Sequence, residues 1–254
     1  MSSYLLKIKL GAFFINLKIS LILSALSGAL IFLLWYRHPY EIISGGRELF
    51  FLIFFVDIAI GPIITFIVFN PQKSRREKIF EFSIIILLQI FAFIYGLYIA
   101  AQARPVKLAF EYDRLRVVSA SEISKEFVST AYPALNKISW TGPDLISLRS
   151  LTSNEKIDRT MLALGGVPLS IQADLWQPYE NAHTDILKAS RPASELKLRF
   201  PSKNIEIENI LKSTKIPISS LIYLPLVSRS DIVFTAILDR ETLKLINCLP
   251  LDSF

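Results

Sequence analysis

The sequence predicts a membrane protein with three N-terminal transmembrane α-helices followed by a soluble α+β domain. Three observations carry this reading. The 254 residues are 52% apolar with a mean hydropathy of +0.45, above the roughly 45–50% apolar share of ordinary soluble chains. The excess lies in the first hundred residues, in runs of Leu, Ile, Phe and Ala broken by few charges. The remainder mixes Lys, Arg, Asp and Glu at globular density and contains segments of both helical and strand periodicity.

A spanning helix needs about 20 mostly apolar residues to cross a hydrocarbon core of about 30 Å. Three segments qualify, at about 19–35, 49–69 and 82–101. They divide the chain into a short cytoplasmic or interfacial segment at 1–16, a membrane region at 17–103 and an outer domain at 104–254. The short connections make the helices antiparallel neighbours. Lys7, Lys9 and Lys18 precede the first span, and Lys73, Arg75, Arg76 and Lys78 crowd the turn between the second and third. The loop after the first span balances Arg37 and Arg47 with Glu41 and Glu48, beside the aromatic belt Trp35, Tyr36 and Tyr40. Basic loops stay cytoplasmic, so the N-terminus is expected in the cytoplasm and the C-terminal domain on the outer side, which in a bacterial cell is the periplasm. The Lys73 to Lys78 cluster is thus read as a topology signal before a lipid or protein site. A cleaved signal peptide fits the first segment poorly, since the lead-in is long and two further spans follow.

Composition and motifs exclude several functions. Of the net charge of +6, little belongs to residues 102–254, which hold 19 Lys and Arg against 17 Asp and Glu, so no basic face for nucleic acid is expected. Cys248 is the only cysteine, which rules out an intrachain disulfide or a thiolate metal cluster. Only His38 and His183 offer an imidazole, no HExxH or phosphate-loop pattern occurs, and Asp57 has no second intramembrane carboxylate to form an aspartyl dyad. No catalytic residue, cofactor or metal site is expected, and the chain reads as a non-enzyme.

The candidate site residues lie in or beside the spans. Asp57 sits near the middle of the second, where an ionised carboxylate costs at least about 2.5 kcal/mol, so it must face protein. Ser24 and Ser27 on the first helix and Gln89 or Tyr95 on the third fall at similar depth. An interhelical hydrogen bond that holds the bundle is the leading reading, and a contact for a polar group on a partner helix the other. Gly61 shares the face of Asp57, and Pro62 removes an amide donor and pushes against the carbonyl of Ile58, which predicts a kink. Ser20, Ser24 and Gly28 recur every fourth residue, a small-residue stripe suited to close helix packing, within the bundle before a foreign helix.

In the outer domain, 106–118 reads as two strands around Tyr112-Asp113-Arg114. Helical spacing follows at 121–132, 154–164, 184–190 and 204–212. Strands are expected at 221–227, 232–238 and 243–249, the last two as a hairpin. Thr141-Gly142-Pro143 and Gly165-Gly166-Val167-Pro168 read as loops.

An ordered set of residues adds to this reading: Trp35-Tyr36, Pro39, Ser44-Gly45-Gly46-Arg47, Asp57, Gly61-Pro62, Asn70-Pro71 with Lys73, Tyr95-Gly96 and Ala103-Arg104-Pro105. Together they resemble the type IV pilin accessory protein family of the TfpX/TfpZ type, densely over the membrane region and thinly beyond Val118. The resemblance implies a chaperone-like inner-membrane protein, encoded near a major pilin, that is needed for efficient assembly of that pilin and has no catalytic residues or cofactor. Its partners would be a cognate type IV pilin, the pilus assembly platform and the bilayer. Ser44 to Arg47 would be either a pilin contact or a flexible turn capping the second helix. A membrane-anchored periplasmic receptor or signalling protein is the alternative, although the cytoplasmic side offers only a tail and a tight turn.

The charge bias makes a direct prediction. A reporter active only in the periplasm should work when fused after Phe254 and fail when fused at Ser74, and the opposite pattern would overturn the topology.

Overall fold

The computed structural model describes residues 2–68, 73–123, 125–228 and 232–254; Phe69, Asn70 and Pro71 lie outside them. The chain divides into two compact units, Met1–Trp35 with Gly45–Gln102 and Tyr36–Ser44 with Ala103–Phe254.

The first unit is helical. Its first helix starts at Ser2 rather than near residue 19, runs to Ala29 and continues as a π-helical turn, Leu30–Trp35. No proline interrupts this stretch, and the lysines that mark a polar lead-in are themselves good helix formers. The second helix runs Gly46–Phe55, widens into a π turn at Val56–Ile60 and resumes at Gly61–Val68. The expected disturbance at Pro62 therefore takes the form of a wide turn just before it, a known way for a helix to absorb an interruption of its hydrogen-bond ladder. The third helix spans Arg75–Ala103. Ser74 and Glu77 form a reciprocal cap at its start: the Ser74 amide donates to Glu77 Oε2 at 2.9 Å and the Glu77 amide to Ser74 Oγ at 3.3 Å. The apolar stretches Lys9–Trp35, Gly46–Ile67 and Arg75–Ala103 contain 27, 22 and 29 residues. At about 1.5 Å per residue each is long and apolar enough to cross a membrane.

The second unit is built on an eight-stranded mixed sheet. Its strands are β1 (Pro105–Glu111), β2 (Arg114–Ser119), β3 (Asp144–Leu148), β4 (Trp176–Pro178), β5 (Arg191–Pro192), β6 (Leu221–Val227), β7 (Val233–Asp239) and β8 (Leu245–Leu249). They lie in the order β4-β3-β1-β2-β6-β7-β8, with β5 paired to β6. β1/β3 and β2/β6 are parallel and the other pairs antiparallel. Parallel neighbours require crossover connections; the segment from β2 to β3 carries the short helix Lys125–Thr130, and the one from β4 to β5, which lie far apart in the sheet, carries His183–Ala189.

Side chains alternate across the sheet, as the period of two demands. Leu108, Phe110, Leu115 and Val117 enter one core, while Ala109, Val118 and Ile146 enter another with Leu175 and Trp176. All seven residues of β1 are buried, including Lys107, whose Nζ donates to Asp144 Oδ2 at 2.8 Å and to the Lys137 carbonyl at 3.0 Å. Lys107 and Asp144 are paired in the β1/β3 register, so a charge-assisted hydrogen bond fixes the alignment of two strands and anchors the loop before β3.

The hairpins and helices agree with the sequence pattern to within a few residues, except that 121–132 yields only a short helix, Lys125–Thr130. β3, β4 and β5 were not expected. β4 and β5 have three and two residues, too few to show a period.

The loop 36–44 falls between two apolar helices in sequence and lies in the same compact unit as the sheet. Tyr40 and Ile43, on a single helical turn, are buried in the core beside Tyr179, Ile186 and Leu238. Burial pushes the phenols of Tyr40 and Tyr179 well above their ordinary range, and Tyr179 donates its hydroxyl to the Leu243 carbonyl at 3.0 Å. Apolar contact outweighed position in the chain.

Ile43→Ala should therefore destabilise the sheet unit by about 2–5 kcal/mol, the usual range for truncating a buried aliphatic residue. Limited proteolysis of the full chain reads this as faster cleavage within 104–254. Unchanged cleavage would show that the 36–44 segment contributes nothing to this core.

Candidate functional site

Polar residues recur along the inner faces of the helical unit. On the first helix Asn16, Ser20, Ser24 and Ser27 are spaced by four, four and three, so they share one face, and all four are buried. On the second, Asp57, Gly61 and Thr65 are four apart, and Asp57 and Thr65 are buried. Three of these helices are joined by amides and a hydroxyl. Asn16 Nδ2 donates to Thr65 Oγ1 at 3.1 Å and to Gln89 Oε1 at 3.1 Å, and Gln89 Nε2 donates back to Asn16 Oδ1 at 3.3 Å.

Gly61 makes room for this cluster. A Cβ at that position would lie 1.7 Å from Gln89 Nε2 and 3.2 Å from Asn16 Oδ1. Two other glycines accept side chains of neighbouring helices: a Cβ on Gly28 would lie 3.0 Å from the Phe50 ring, and one on Gly96 would lie 2.8 Å from Ile53 Cγ1. The stripe Ser20, Ser24 and Gly28 thus packs inside the bundle.

Asp57 differs from its neighbours. It is 4% exposed, and its Oδ2 is enclosed without a hydrogen-bond partner among the described residues. The Ser24 hydroxyl is likewise unpartnered, and Ser27 donates to the Ser24 carbonyl of its own helix at 2.9 Å. The interhelical bond expected at Asp57 is therefore not formed there. Asn16, Thr65 and Gln89 make the tie instead, and sequence reasoning missed Asn16 and Thr65. The four-residue spacing of Asn16 from Ser20, and of Thr65 from Gly61, was the available signal.

Asp57 lies where two apolar grooves meet. One, of about 230 Å³, runs between the second and third helices and is lined by Ile53, Val56, Ala92, Tyr95 and Gly96. The other, of about 390 Å³, runs between the first and third and is lined by Asn16, Ile19, Ser20, Ile86, Gln89 and Ile90. Gln89 and Tyr95, expected near Asp57, line one groove each.

The remaining predicted residues have simpler settings. Ser44 closes the helical turn of the sheet unit, its amide donating to the Tyr40 carbonyl at 2.9 Å. Gly45 caps the second helix with φ +71°, a conformation that favours glycine, and Gly46 and Arg47 begin that helix. Lys73 pairs with Glu81, Arg75 and Arg76 are exposed, and Lys78 is half-buried.

Fold and site together define a class: three long apolar helices bearing a mixed-sheet domain, with a polar tie inside the helical unit and no group of three or more His, Cys, Asp or Glu side chains placed to hold a metal among the described residues. Known proteins of this kind are found by comparison. The family described as "Fimbrial assembly protein FimB" matches residues 5–45. The fimbrial assembly protein of serogroup I from Dichelobacter nodosus is 35% identical over 242 residues, covering 94% of each chain. That of serogroup E1 is 31% identical over the same share of both, and that of serogroups C1 and C2 is 48% identical over 109 residues, 43% of this chain and 83% of the other. The chain belongs to this fimbrial assembly protein family, a type IV pilus accessory family. No solved structure matches it.

The close approach at Gly61 yields a test. Gly61→Ala should expel the Gln89 side chain and break its two hydrogen bonds to Asn16, lowering the thermal stability of the detergent-solubilised protein by roughly 1–3 kcal/mol. Adding Gln89→Ala removes the clash, so the double variant should be no less stable than Gln89→Ala alone. Additive losses would show that Gly61 is not shaped around Gln89.

Proposed function

We propose that this chain is a non-enzymatic, chaperone-like accessory factor of the bacterial inner membrane that assists assembly of a cognate type IV pilin into pili. Its N-terminus lies in the cytoplasm and its sheet domain in the periplasm. The observation that carries the role is likeness over 94% of the chain to proteins named fimbrial assembly proteins. The length and apolarity of the three helices support insertion in the bilayer, and the basic cluster Lys73, Arg75, Arg76 and Lys78 supports the orientation.

An unassembled pilin presents a long apolar helix at the level of the membrane and a globular head outside it. This chain offers a helical unit for the first and a sheet domain for the second. Weak contacts at both levels reinforce one another, because the first makes the second intramolecular. Recognition at two levels also lets the factor favour one pilin variant over another, through a difference of affinities. Residues 36–44 support this reading, since the stretch linking two apolar helices is folded into the sheet core.

The full chain should co-purify with its cognate pilin from detergent-solubilised membranes, whereas residues 104–254 alone should retain it poorly. If no pilin accompanies the full chain while pili still depend on its gene, direct contact is wrong and the assembly platform becomes the partner.

A further inference from the structure

Resting on the reading that the helical unit spans the membrane beside pilin, we infer that the groove between the first and third helices receives a partner's apolar helix that brings one hydrogen-bond donor to the Asp57 carboxylate. The buried, unpartnered Oδ2 carries the argument. An acceptor enclosed by apolar side chains keeps the full penalty of its lost hydration until a donor arrives, and hydrocarbon supplies none. A lipid acyl chain matches the walls of the groove but leaves the carboxylate unsatisfied. A transmembrane helix with a hydroxyl, amide or cationic side chain at that depth matches both.

Two features select this groove over the one lined by Ala92 and Gly96. It is the larger, about 390 against about 230 Å³. Asn16, Ser20 and Gln89 line it with Asp57, whereas Tyr95 is the other polar side chain on the second groove. Asn16 and Gln89 are already held by one another, which leaves Asp57 as the acceptor to be satisfied. The walls, Ile19, Ile86 and Ile90, are each about half exposed and open to an apolar helix.

The test uses the full chain in living cells, with a benzophenone amino acid at Ile86 in this groove or at Ala92 in the other, and adducts read with antibody to the cognate pilin. The Ile86 position should give the stronger pilin adduct. Asp57→Leu should reduce it about tenfold, the effect of one lost hydrogen bond to a buried acceptor, while Asp57→Asn, which keeps an acceptor oxygen, should retain more of it. An undiminished adduct in Asp57→Leu at normal protein level overturns the proposal. Should Asp57→Leu fail to accumulate, Ile86→Trp fills the groove and leaves the carboxylate in place; a pilin adduct at Ile19 that survives this change overturns the proposal equally. Pilin adducts at Ala92 that ignore both substitutions remove this groove yet leave the pilin contact standing. Absence of pilin from every adduct, with lipid alone captured, removes both.

Discussion

A polar group enclosed by apolar side chains must find its partner within the protein, and much of this structure depends on how that demand is met. In the helical unit it is met by Asn16, which reaches Thr65 on the second helix and Gln89 on the third and so draws three separate helices to one point. Gly61 has no side chain because that point leaves no room for one. In the sheet unit the same demand is met by Lys107, whose ammonium reaches Asp144 and the Lys137 carbonyl and thereby sets the alignment of β1 and β3. Each tie has a high cost of failure, since removing one partner leaves a buried group unsatisfied.

Among the described residues of the helical unit the Ser24 hydroxyl and Asp57 Oδ2 are left without a partner, and Asp57 has the more unusual setting. Its helix passes through a π turn at that position, a local irregularity that is common at functional sites. The side chain stands where two grooves meet, with Oδ2 unpartnered.

The stretch 36–44 gives the two units a second covalent relation. The chain leaves the first helix, contributes Tyr40 and Ile43 to the sheet core and returns to begin the second helix at Gly46. The sheet unit is therefore attached to the helices at three points along the chain, at 35/36, 44/45 and 102/103.

The sequence by itself determined the features that are local in the chain. Length and apolarity of a run mark a helix capable of crossing a membrane, and a short, continuous apolar run of seven residues marks a strand such as β6, whose bounds 221–227 agree with the expected ones. The residues of the site were legible one by one: Asp57 as a costly carboxylate, Gly61 as a residue on its face, and Ser20, Ser24 and Gly28 as a packing stripe. Tertiary structure decided the partners. Asn16 pairs with residues 49 and 73 positions away, a choice set by how each helix is rotated toward its neighbours, which hydropathy does not encode. β4 exists because β3 offers it an open edge, and β5 because β2 pairs only Leu226 and Val227 of β6 and leaves Ile222 and Tyr223 to it, and 36–44 joined the sheet because that core had apolar surface to cover. Periodicity is a property of one segment, whereas pairing is a property of two, and only the folded chain supplies the second.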